Sequence, residues 1–325
     1  MLDPLRIAAV QFEHRDGDRA FNLGRIADLA RAARDRGAEI VSFHECSISG
    51  YSFVQPFSKE QLLDVAEPVP EGPSVSRLMD ISKEVGIPIL SGLFERAGDE
   101  VFNTYVCVDG ESLLAKHRKL HAFVNPHLSS GDSYTVFEWN GWKCGILICY
   151  DNNLPENVRI TTLMGAEIVF MPHVTGCLPS IMPGRGTVDP ALWERREIDP
   201  VPLRLEFDGP KGRGWLMRWL PARAFENGVY AVFTNPIGMD YGQVRNGSAM
   251  VLDCFGEVLT ECRTLGDDLC VGVCTRERLE VASGRRYVRA RRPELYAKLL
   301  EPSSEPPQTL PGWQLQRGPG TDSDD

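Results

Sequence analysis

Residues 135–172 read TVFEWNGWKCGILICYDNNLPENVRITTLMGAEIVFMP and combine several structural signals. The Asn-Gly pair at 140–141 predicts a hairpin between two short strands, because this dipeptide suits the positive φ angles of a tight turn. A proline opens the helical pattern of 155–166, and the apolar run 167–172 predicts a further strand. A hairpin followed by a helix and a further strand indicates a mixed sheet with helices on its outside.

The same alternation continues on both sides of this stretch. Apolar periodicity predicts helices over residues 21–38, 73–86, 215–228 and 292–300. We expect Pro221 to break or kink the third of these helices. Strands are predicted over residues 6–12, 39–45, 87–96, 101–110, 229–235, 247–261 and 270–277. This order predicts an α/β fold in a single domain that spans residues 1–301.

Two segments differ from this pattern. Residues 174–214 are rich in proline, glycine and charge, and they are too long for an ordinary connection. We expect them to form an insertion loop within the domain, serving either function or packing. Residues 302–325 contain few core-forming side chains and are predicted to be a flexible C-terminal tail.

The composition limits the partners of the chain. Its 325 residues are 42% hydrophobic, enough for a sizeable core, and carry a net charge of −10. This acidic balance disfavours nucleic acid and anionic membranes as partners. No apolar stretch approaches the ~20 residues that cross a bilayer, and the first residues show no leader pattern. We expect a cytoplasmic protein that binds neither nucleic acid nor membrane.

One of the nine cysteines differs from the rest. The cysteines are scattered, without a CxxC pair or a Cys/His set at zinc-binding spacing, so most are expected to be small core residues. Cys149, however, follows an apolar run directly and opens a polar turn at 150–153. Loops at strand ends carry many functional groups, which makes Cys149 a candidate nucleophile.

A nucleophilic thiol needs a partner, because its ordinary pKa is near ~8.5. The segments VSFHECSISGY (41–51) and LLAKHRKLHAF (113–123) each end a predicted strand with charged residues, and they offer Glu45 and Lys119. The residues alone leave two other possibilities open. In the first, the side chains of Glu45 and Lys119 simply face water. In the second, the cysteine pairs with a histidine as its base. The candidate histidines are His44, His117, His121 and His127.

The three predicted strand ends that carry Glu45, Lys119 and Cys149 follow one another in this order along the chain. This arrangement resembles the carbon-nitrogen hydrolase (nitrilase) superfamily. Further similar stretches are LRIAAVQF (5–12), PARAFENGVYAVFTNPIG (221–238) and GSAMVLDCFGEVL (247–259). The resemblance implies mixed sheets with outer helices, arranged as a four-layer αββα sandwich on dimerisation. It also implies a homodimer or a higher homo-oligomer.

The resemblance further implies a Glu–Lys–Cys triad. In it, Glu45 is the general base, Lys119 is the cation and Cys149 is the nucleophile. The backbone N–H of Tyr150 is expected to donate to the developing oxyanion. This chemistry requires no cofactor and no metal.

The loop after Lys119 departs from the superfamily pattern. A second glutamate usually lies there, but residues 121–132 (HAFVNPHLSSGD) contain none. Asn125, His127 and Asp132 are the candidate replacements. The departure keeps a second class of function open, a non-catalytic binding protein on the same scaffold.

The residues after the cysteine indicate the substrate class. Amidase and carbamoyl-hydrolase branches tend to have Tyr-Asp at 150–151, whereas nitrile-cleaving members have Trp-Glu. We therefore expect a thiol-dependent amidase that acts with water on a small non-peptide amide, with N-carbamoyl hydrolysis second and nitrile hydrolysis third. The candidate substrate contacts are Tyr150, Asn125, His173, Thr175 and Trp193, with Arg185, Arg195 or Arg196 for a substrate carboxylate.

Overall fold

The computed structural model of the chain describes residues 4–180 and 182–301, so the predicted tail at 302–325 lies outside the described residues. The strands are β1 Leu5–Gln11, β2 Ile40–Ser42, β3 Ile89–Ala97, β4 Glu100–Val108, β5 Leu113–Arg118, β6 Leu128–Ser129, β7 Thr135–Trp139, β8 Trp142–Ile146, β9 Ile168–Pro172, β10 Tyr230–Thr234, β11 Ile237–Asp240, β12 Gln243–Asn246, β13 Met250–Leu252, β14 Val258–Glu261 and β15 Asp268–Cys274. The α-helices are α1 Arg19–Asp35, α2 Lys59–Val65, α3 Pro73–Val85, α4 Pro155–Leu163, α5 Pro190–Glu194, α6 Val201–Asp208, α7 Arg213–Leu216, α8 Leu220–Asn227, α9 Arg276–Val281 and α10 Ser283–Arg289. Short 3₁₀ turns cover Ser52–Val54, Cys149–Asn153, Pro293–Leu295 and Ala297–Leu300.

The described strands form two large mixed sheets and a separate hairpin. The first sheet has the order β15-β1-β2-β3-β4-β5, with β6 beside β4, and the second has the order β14-β13-β10-β9-β8-β7. Strands β1, β2 and β3 pair in parallel, as do β8, β9 and β10. The hairpin joins β11 to β12. The predicted α/β fold with mixed sheets is therefore confirmed.

Alternating side chains on the strands build the layers. Ile7 of β1 and Phe170 of β9 lie in one core between the two sheets. Their neighbours Ala8 and Val169 point the opposite way, into separate cores covered by α1 and α3 on one side and by α4 and α8 on the other. Since each face of both sheets is covered, all four αββα layers are present within one chain. The expectation that this sandwich forms on dimerisation is corrected by this arrangement.

Close packing of α4 on β8 fixes the turn between them. A Cβ added to Gly145 of β8 would lie 2.3 Å from Cγ2 of Thr161 and 3.2 Å from Cβ of Ala166. Only glycine therefore lets α4 approach this closely. The approach sets where the turn that carries Cys149 emerges from the sheet.

Two helix predictions change in the structure. The pattern at 215–228 is divided between α7 and α8, with Pro221 in the first turn of α8, as its fixed φ and missing N–H favour. The helix predicted over 292–300 is wrong, because this segment forms two 3₁₀ turns, and α10 precedes it instead.

Among the described residues, no helix has both the length and the apolar character of a membrane span.

The predicted insertion at 174–214 contains α5, α6 and the first two residues of α7. Its apolar residues join the β11–β12 hairpin in a small core of their own. Members of this core are Cys177, Val188, Trp193, Leu203, Phe207, Ile237 and Val244. The segment is thus a compact excursion with internal packing rather than an open loop.

Candidate active site

Three strand ends bring the predicted catalytic residues together. Glu45 follows β2 and Lys119 follows β5 in the first sheet, and Cys149 follows β8 in the second. The exposed fractions of these residues are only 0%, 1% and 5%. A buried acid and a buried ammonium are stable only with partners, so their contacts define the site.

Both oxygens of the Glu45 carboxylate accept hydrogen bonds. Oε1 accepts from Nζ of Lys119 at 2.6 Å and from Nδ2 of Asn103 at 2.6 Å. Oε2 accepts from the backbone N–H of Val174 at 2.9 Å. The thiol of Cys149 also interacts with this carboxylate. Glu45 is therefore oriented where it can take the thiol proton.

Lys119 is held as a cation. Its Nζ also donates to the hydroxyl of Tyr51 at 3.2 Å and lies 4.6 Å from the centre of the Phe123 ring. Burial opposes the charged form. Interactions with Cys149 and Glu45 outweigh burial, and the pKa of Lys119 lies well above its ordinary value. The ammonium is thus present at neutral pH, as a cation that stabilises an oxyanion must be.

Cys149 adopts a strained backbone conformation. Its φ of +50° lies in the left-handed region, which residues with a Cβ seldom occupy. Burial and the charge of Glu45 raise the pKa of Cys149 to about 12, although Lys119 and the N–H of Val174 act in the opposite direction. The resting group at neutral pH is therefore a thiol, which must lose its proton to a base as it attacks.

The turn after Cys149 is braced from a neighbouring helix. Arg223 of α8 donates from Nε to the carbonyl of Asn152 at 3.0 Å and from Nη2 to the carbonyl of Asn153 at 2.8 Å. The side chain of Asn152 donates to the carbonyl of Leu147 at 2.8 Å. These bonds hold the strained φ of the nucleophile in place.

Asp151 joins this turn to the loop that follows Lys119. Its Oδ1 accepts from the backbone N–H and from Nδ1 of His121, at 3.0 Å and 2.9 Å, and its Oδ2 accepts from the N–H of Leu120 at 3.2 Å. Burial acts against the charged form. Contacts with His117 and His121 outweigh burial and hold the pKa of Asp151 well below its usual range. The ionised carboxylate therefore fixes the segment after Lys119 relative to the turn that carries Cys149.

The histidines do not support a Cys–His dyad. His44 contacts His14, and both His117 and His121 approach Asp151. His127 is exposed. The titratable group that hydrogen-bonds the Cys149 thiol is the carboxylate of Glu45.

Of the candidate replacements for the missing glutamate, only Asn125 is buried. Its Nδ2 donates to the carbonyls of Val54 at 2.8 Å and Phe57 at 2.9 Å, which occupies its donors in holding that segment. His127 and Asp132 are exposed. The geometry of Asn125 supports a role in shaping the loop.

The other predicted substrate contacts lie near the triad in different settings. Tyr150 is half-buried, with its ring edge-on to those of His121 and Phe123. His173 is fully buried, and burial together with the charge of Lys119 lowers its pKa to about 3. Thr175 is fixed through its backbone N–H, which donates to Oδ1 of Asn235 at 2.8 Å.

The predicted residues of the insertion also differ in setting. Trp193 is buried in the small core described above, where it stacks with Phe207. Arg196 donates to the carbonyls of Leu265 and Trp193, and Arg195 is exposed. Arg185 lies 3.9 Å above the ring of Trp215, and its buried Nε has no partner among the described residues.

Sequence reasoning missed several residues that complete the site. These are Tyr51, Asn103 and Asp151, together with the backbone N–H of Val174. Tyr51 lies within the segment 41–51 that contains Glu45, and Asp151 lies within the turn at 150–153 that follows Cys149. Asn103 carries no local signal, because it reaches Glu45 only through the sheet order β2-β3-β4. Its carbonyl accepts from the N–H of Lys119 at 2.8 Å, where β4 pairs with β5.

Known proteins resemble this chain over most of its length. The sequence model of the carbon-nitrogen hydrolase family matches residues 6–282. An (R)-stereoselective amidase from Pseudomonas sp. is 31% identical over 261 residues, which cover 79% of this chain and 80% of that protein. An N-carbamoylputrescine amidase from Solanum lycopersicum is 27% identical and covers 90% of this chain and 94% of its own length.

A solved structure extends the comparison to the fold. It is a variant of the amidase from Nesterenkonia sp. AN1 with the acetamide moiety of fluoroacetamide added covalently at its active-site cysteine. The two chains share 25% sequence identity and a TM-score of 0.66, over 90% of this chain and 96% of that one. The family match, the four-layer fold and the buried cluster of acid, ammonium and thiol agree. The chain belongs to the carbon-nitrogen hydrolase family.

Proposed function

We propose that the protein is a thiol-dependent amidase that hydrolyses a small non-peptide amide through Glu45, Lys119 and Cys149. The observation that carries the proposal is the buried ion pair of Glu45 and Lys119, in which Nζ and Oε1 lie 2.6 Å apart. The thiol of Cys149, a strong nucleophile once it loses its proton, lies beside this pair. A buried ion pair is costly to maintain, and functional sites are where such pairs concentrate.

The reaction begins with proton transfer. Glu45 takes the thiol proton as the sulfur of Cys149 attacks the amide carbonyl carbon, and the carbonyl π electrons move to oxygen. The Lys119 ammonium and the Tyr150 N–H stabilise this oxyanion. When the tetrahedral intermediate collapses, the C–N bond breaks, and the leaving nitrogen takes the proton from Glu45. The products of this half are a thioester and ammonia or an amine.

Water completes the cycle. Glu45, again a carboxylate, removes a proton from a water molecule that attacks the thioester carbonyl. The C–S bond breaks, the carboxylic acid leaves, and the thiol of Cys149 is restored with the proton that Glu45 holds. Each step uses the same base, which explains why Glu45 is fixed by donors on both oxygens.

The expected order of substrates is amide, then N-carbamoyl compound, then nitrile. The residues Tyr150 and Asp151 after the nucleophile support this order, and the similar (R)-stereoselective amidase supports placing amides first. A non-catalytic binding protein on this scaffold is the alternative. The placement of a buried carboxylate and a buried ammonium beside the Cys149 thiol favours catalysis.

We further propose that the chain forms a homo-oligomer through α4, α8 and α10. Apolar side chains on these helices are exposed, and a cavity of about 860 Å³ lies among them and the segment at 293–300. The exposed members are Ile160, Leu163, Met164, Phe225 and Tyr287. A second copy of the chain would cover them.

A cytoplasmic location suits the nine free cysteines, all of them buried, since thiols persist in a reducing compartment.

Ammonia release tests the proposal. Wild type and Cys149→Ala would be assayed at neutral pH against short aliphatic amides, aryl amides, N-carbamoyl amino acids and nitriles. We expect release from an amide that disappears in the variant. Cys270→Ala is the matched control, because Cys270 is 7% exposed and Cys149 is 5% exposed. A folded wild type that releases no ammonia and whose Cys149 is not alkylated by iodoacetamide would refute the amidase proposal.

A further inference from the structure

The hydroxyl of Tyr51 lies beside the cation of the site and carries a proton that this contact does not use. Tyr51 is buried, and its Oη accepts a hydrogen bond from Nζ of Lys119 at 3.2 Å. An ammonium can only donate, so the proton of the hydroxyl remains available. Among the described residues, Lys119 is the one hydrogen-bond partner of this hydroxyl. A buried donor without an acceptor costs free energy, which calls for a functional explanation.

Packing on both sides fixes the position of this hydroxyl. The ring of Tyr51 stacks with that of Phe94, at an interplanar angle of 9° and with the ring centres 6.5 Å apart. Ser52 follows in the chain, and its backbone N–H and hydroxyl donate to the carboxylate of Asp240 at 3.1 Å and 2.6 Å. The hydroxyl is therefore held beside Lys119 before any substrate binds, as an effective catalytic donor must be.

The hydroxyl keeps its proton at neutral pH. Burial raises the pKa of Tyr51 well above its ordinary value, although the charge of Lys119 acts in the opposite direction. Interactions with Glu45 and Cys149 raise this pKa further, so both groups lie within electrostatic range of the hydroxyl. Tyr51 is therefore a hydrogen-bond donor at the site and not a base.

We propose that the hydroxyl of Tyr51 is a further catalytic group, which donates a hydrogen bond to the oxyanion that forms during hydrolysis. This role rests on the amidase reaction proposed above, in which Lys119 and the Tyr150 N–H bind the same oxyanion. Effective donors lie about 2.7–3.1 Å from the oxyanion. Since Oη of Tyr51 and Nζ of Lys119 are 3.2 Å apart, both atoms can lie at that distance from one oxygen.

The hydrogen bond acts without moving a proton. The hydroxyl proton stays on Tyr51 throughout, so the proton transfers through Glu45 are unchanged. The bond strengthens as the carbonyl oxygen gains negative charge, because hydrogen bonds to ionised acceptors are stronger than those to neutral ones. Tyr51 therefore stabilises the transition state more than the bound substrate, and its contribution appears in kcat rather than in KM.

Tyr51→Phe tests this role, because it removes the hydroxyl and keeps the ring that stacks with Phe94. Ammonia release from an amide that wild type hydrolyses would give kcat and KM, and iodoacetamide would measure the reactivity of Cys149. We expect kcat to fall by about 100-fold or more with KM unchanged, as after loss of other oxyanion donors. Alkylation should proceed as in wild type, because displacement of iodide forms no oxyanion.

Tyr230→Phe is the matched control. Tyr230 is also buried, and its hydroxyl donates to the carbonyl of Thr275, which follows β15, at 2.9 Å. This variant should keep the kcat of wild type. Thermal unfolding of both variants would verify that they are folded at the assay temperature.

The possible outcomes separate this role from the amidase reaction on which it rests. A Tyr51→Phe variant with the kcat of wild type would overturn the role of the hydroxyl and leave the amidase proposal intact. If alkylation slowed together with hydrolysis, Tyr51 would act only by positioning Lys119, and the proposal would fail. A wild type that released no ammonia from any amide would refute the amidase reaction, and this role with it.

Discussion

Replacing Lys119 with methionine removes the cation of the site while keeping the length of the side chain. In the native protein its Nζ lies 2.6 Å from Oε1 of Glu45, and two unit charges at this distance attract by about 6 kcal/mol at an effective dielectric constant of ~20. Desolvation of both groups offsets much of this attraction. Removing one partner of a buried pair nevertheless costs about 3–5 kcal/mol, because the other charge is left buried and uncompensated.

The contacts of Glu45 place Lys119→Met at the lower end of that range. Asn103 and the N–H of Val174 still donate to the carboxylate after the substitution. We therefore expect a loss of about 3 kcal/mol in the free energy of unfolding. Amide hydrolysis should fall by about 100- to 1000-fold, the usual effect of removing one oxyanion donor. Urea unfolding and ammonia release would measure the two effects separately.

Lys116→Met is the matched control. Lys116 lies on β5, pairs with Glu95 at 2.8 Å and has a side chain that is 32% exposed. Its loss should cost only about 0–1 kcal/mol, as for other solvent-screened pairs, and leave hydrolysis unchanged.

A double variant tests whether the charges of Glu45 and Lys119 stabilise each other. Glu45→Gln combined with Lys119→Met removes both charges, so it should be destabilised by less than the sum of the two single variants. If Lys119→Met unfolded like wild type and kept its activity within tenfold, the reasoning from the buried ion pair would be refuted.

Three further substitutions test other parts of the account. Glu45→Gln should abolish hydrolysis yet speed alkylation of Cys149 by iodoacetamide at a fixed pH, because the Glu45 charge raises the thiol pKa; slower alkylation would contradict this. His173 stays neutral when folded, so its stabilisation is complete above pH ~6.5 and is lost as the pH falls toward its folded pKa of about 3. His173→Gln should therefore flatten the dependence of unfolding free energy on pH between ~6 and ~5 by up to about 1.4 kcal/mol per pH unit, and an unchanged slope would argue against a buried neutral imidazole. Leu163→Glu should shift the protein toward monomer in light scattering, whereas Leu259→Glu on β14 should not; equal masses for both would exclude α4 as the interface.

The meeting of Glu45, Lys119 and Cys149 was predictable because each of them follows a strand. Apolar runs that end in charged residues or in Cys149 mark strand ends in the sequence, and strand ends are where side chains from distant segments meet. Parallel pairing of β8 with β9 and close packing of α4 on Gly145 then fix the turn. Local patterns were sufficient for these features.

Contacts that depend on strand order were not predictable. Asn103 reaches Glu45 only because β3 pairs with both β2 and β4, and Asp240 reaches His14 across more than two hundred residues of sequence. The helix predicted over 292–300 failed for a related reason. Its apolar side chains, such as Leu299, remain exposed, so burial does not stabilise a helix there.

Trapping the acyl-enzyme tests the central claim most directly. Wild type would be mixed with a short amide that it hydrolyses, quenched in acid within milliseconds, digested and analysed by mass spectrometry. The account predicts an acyl group on the peptide that contains Cys149, whose amount declines as the amide is consumed. Continued turnover by Cys149→Ala, or an acyl group on another residue, would contradict it.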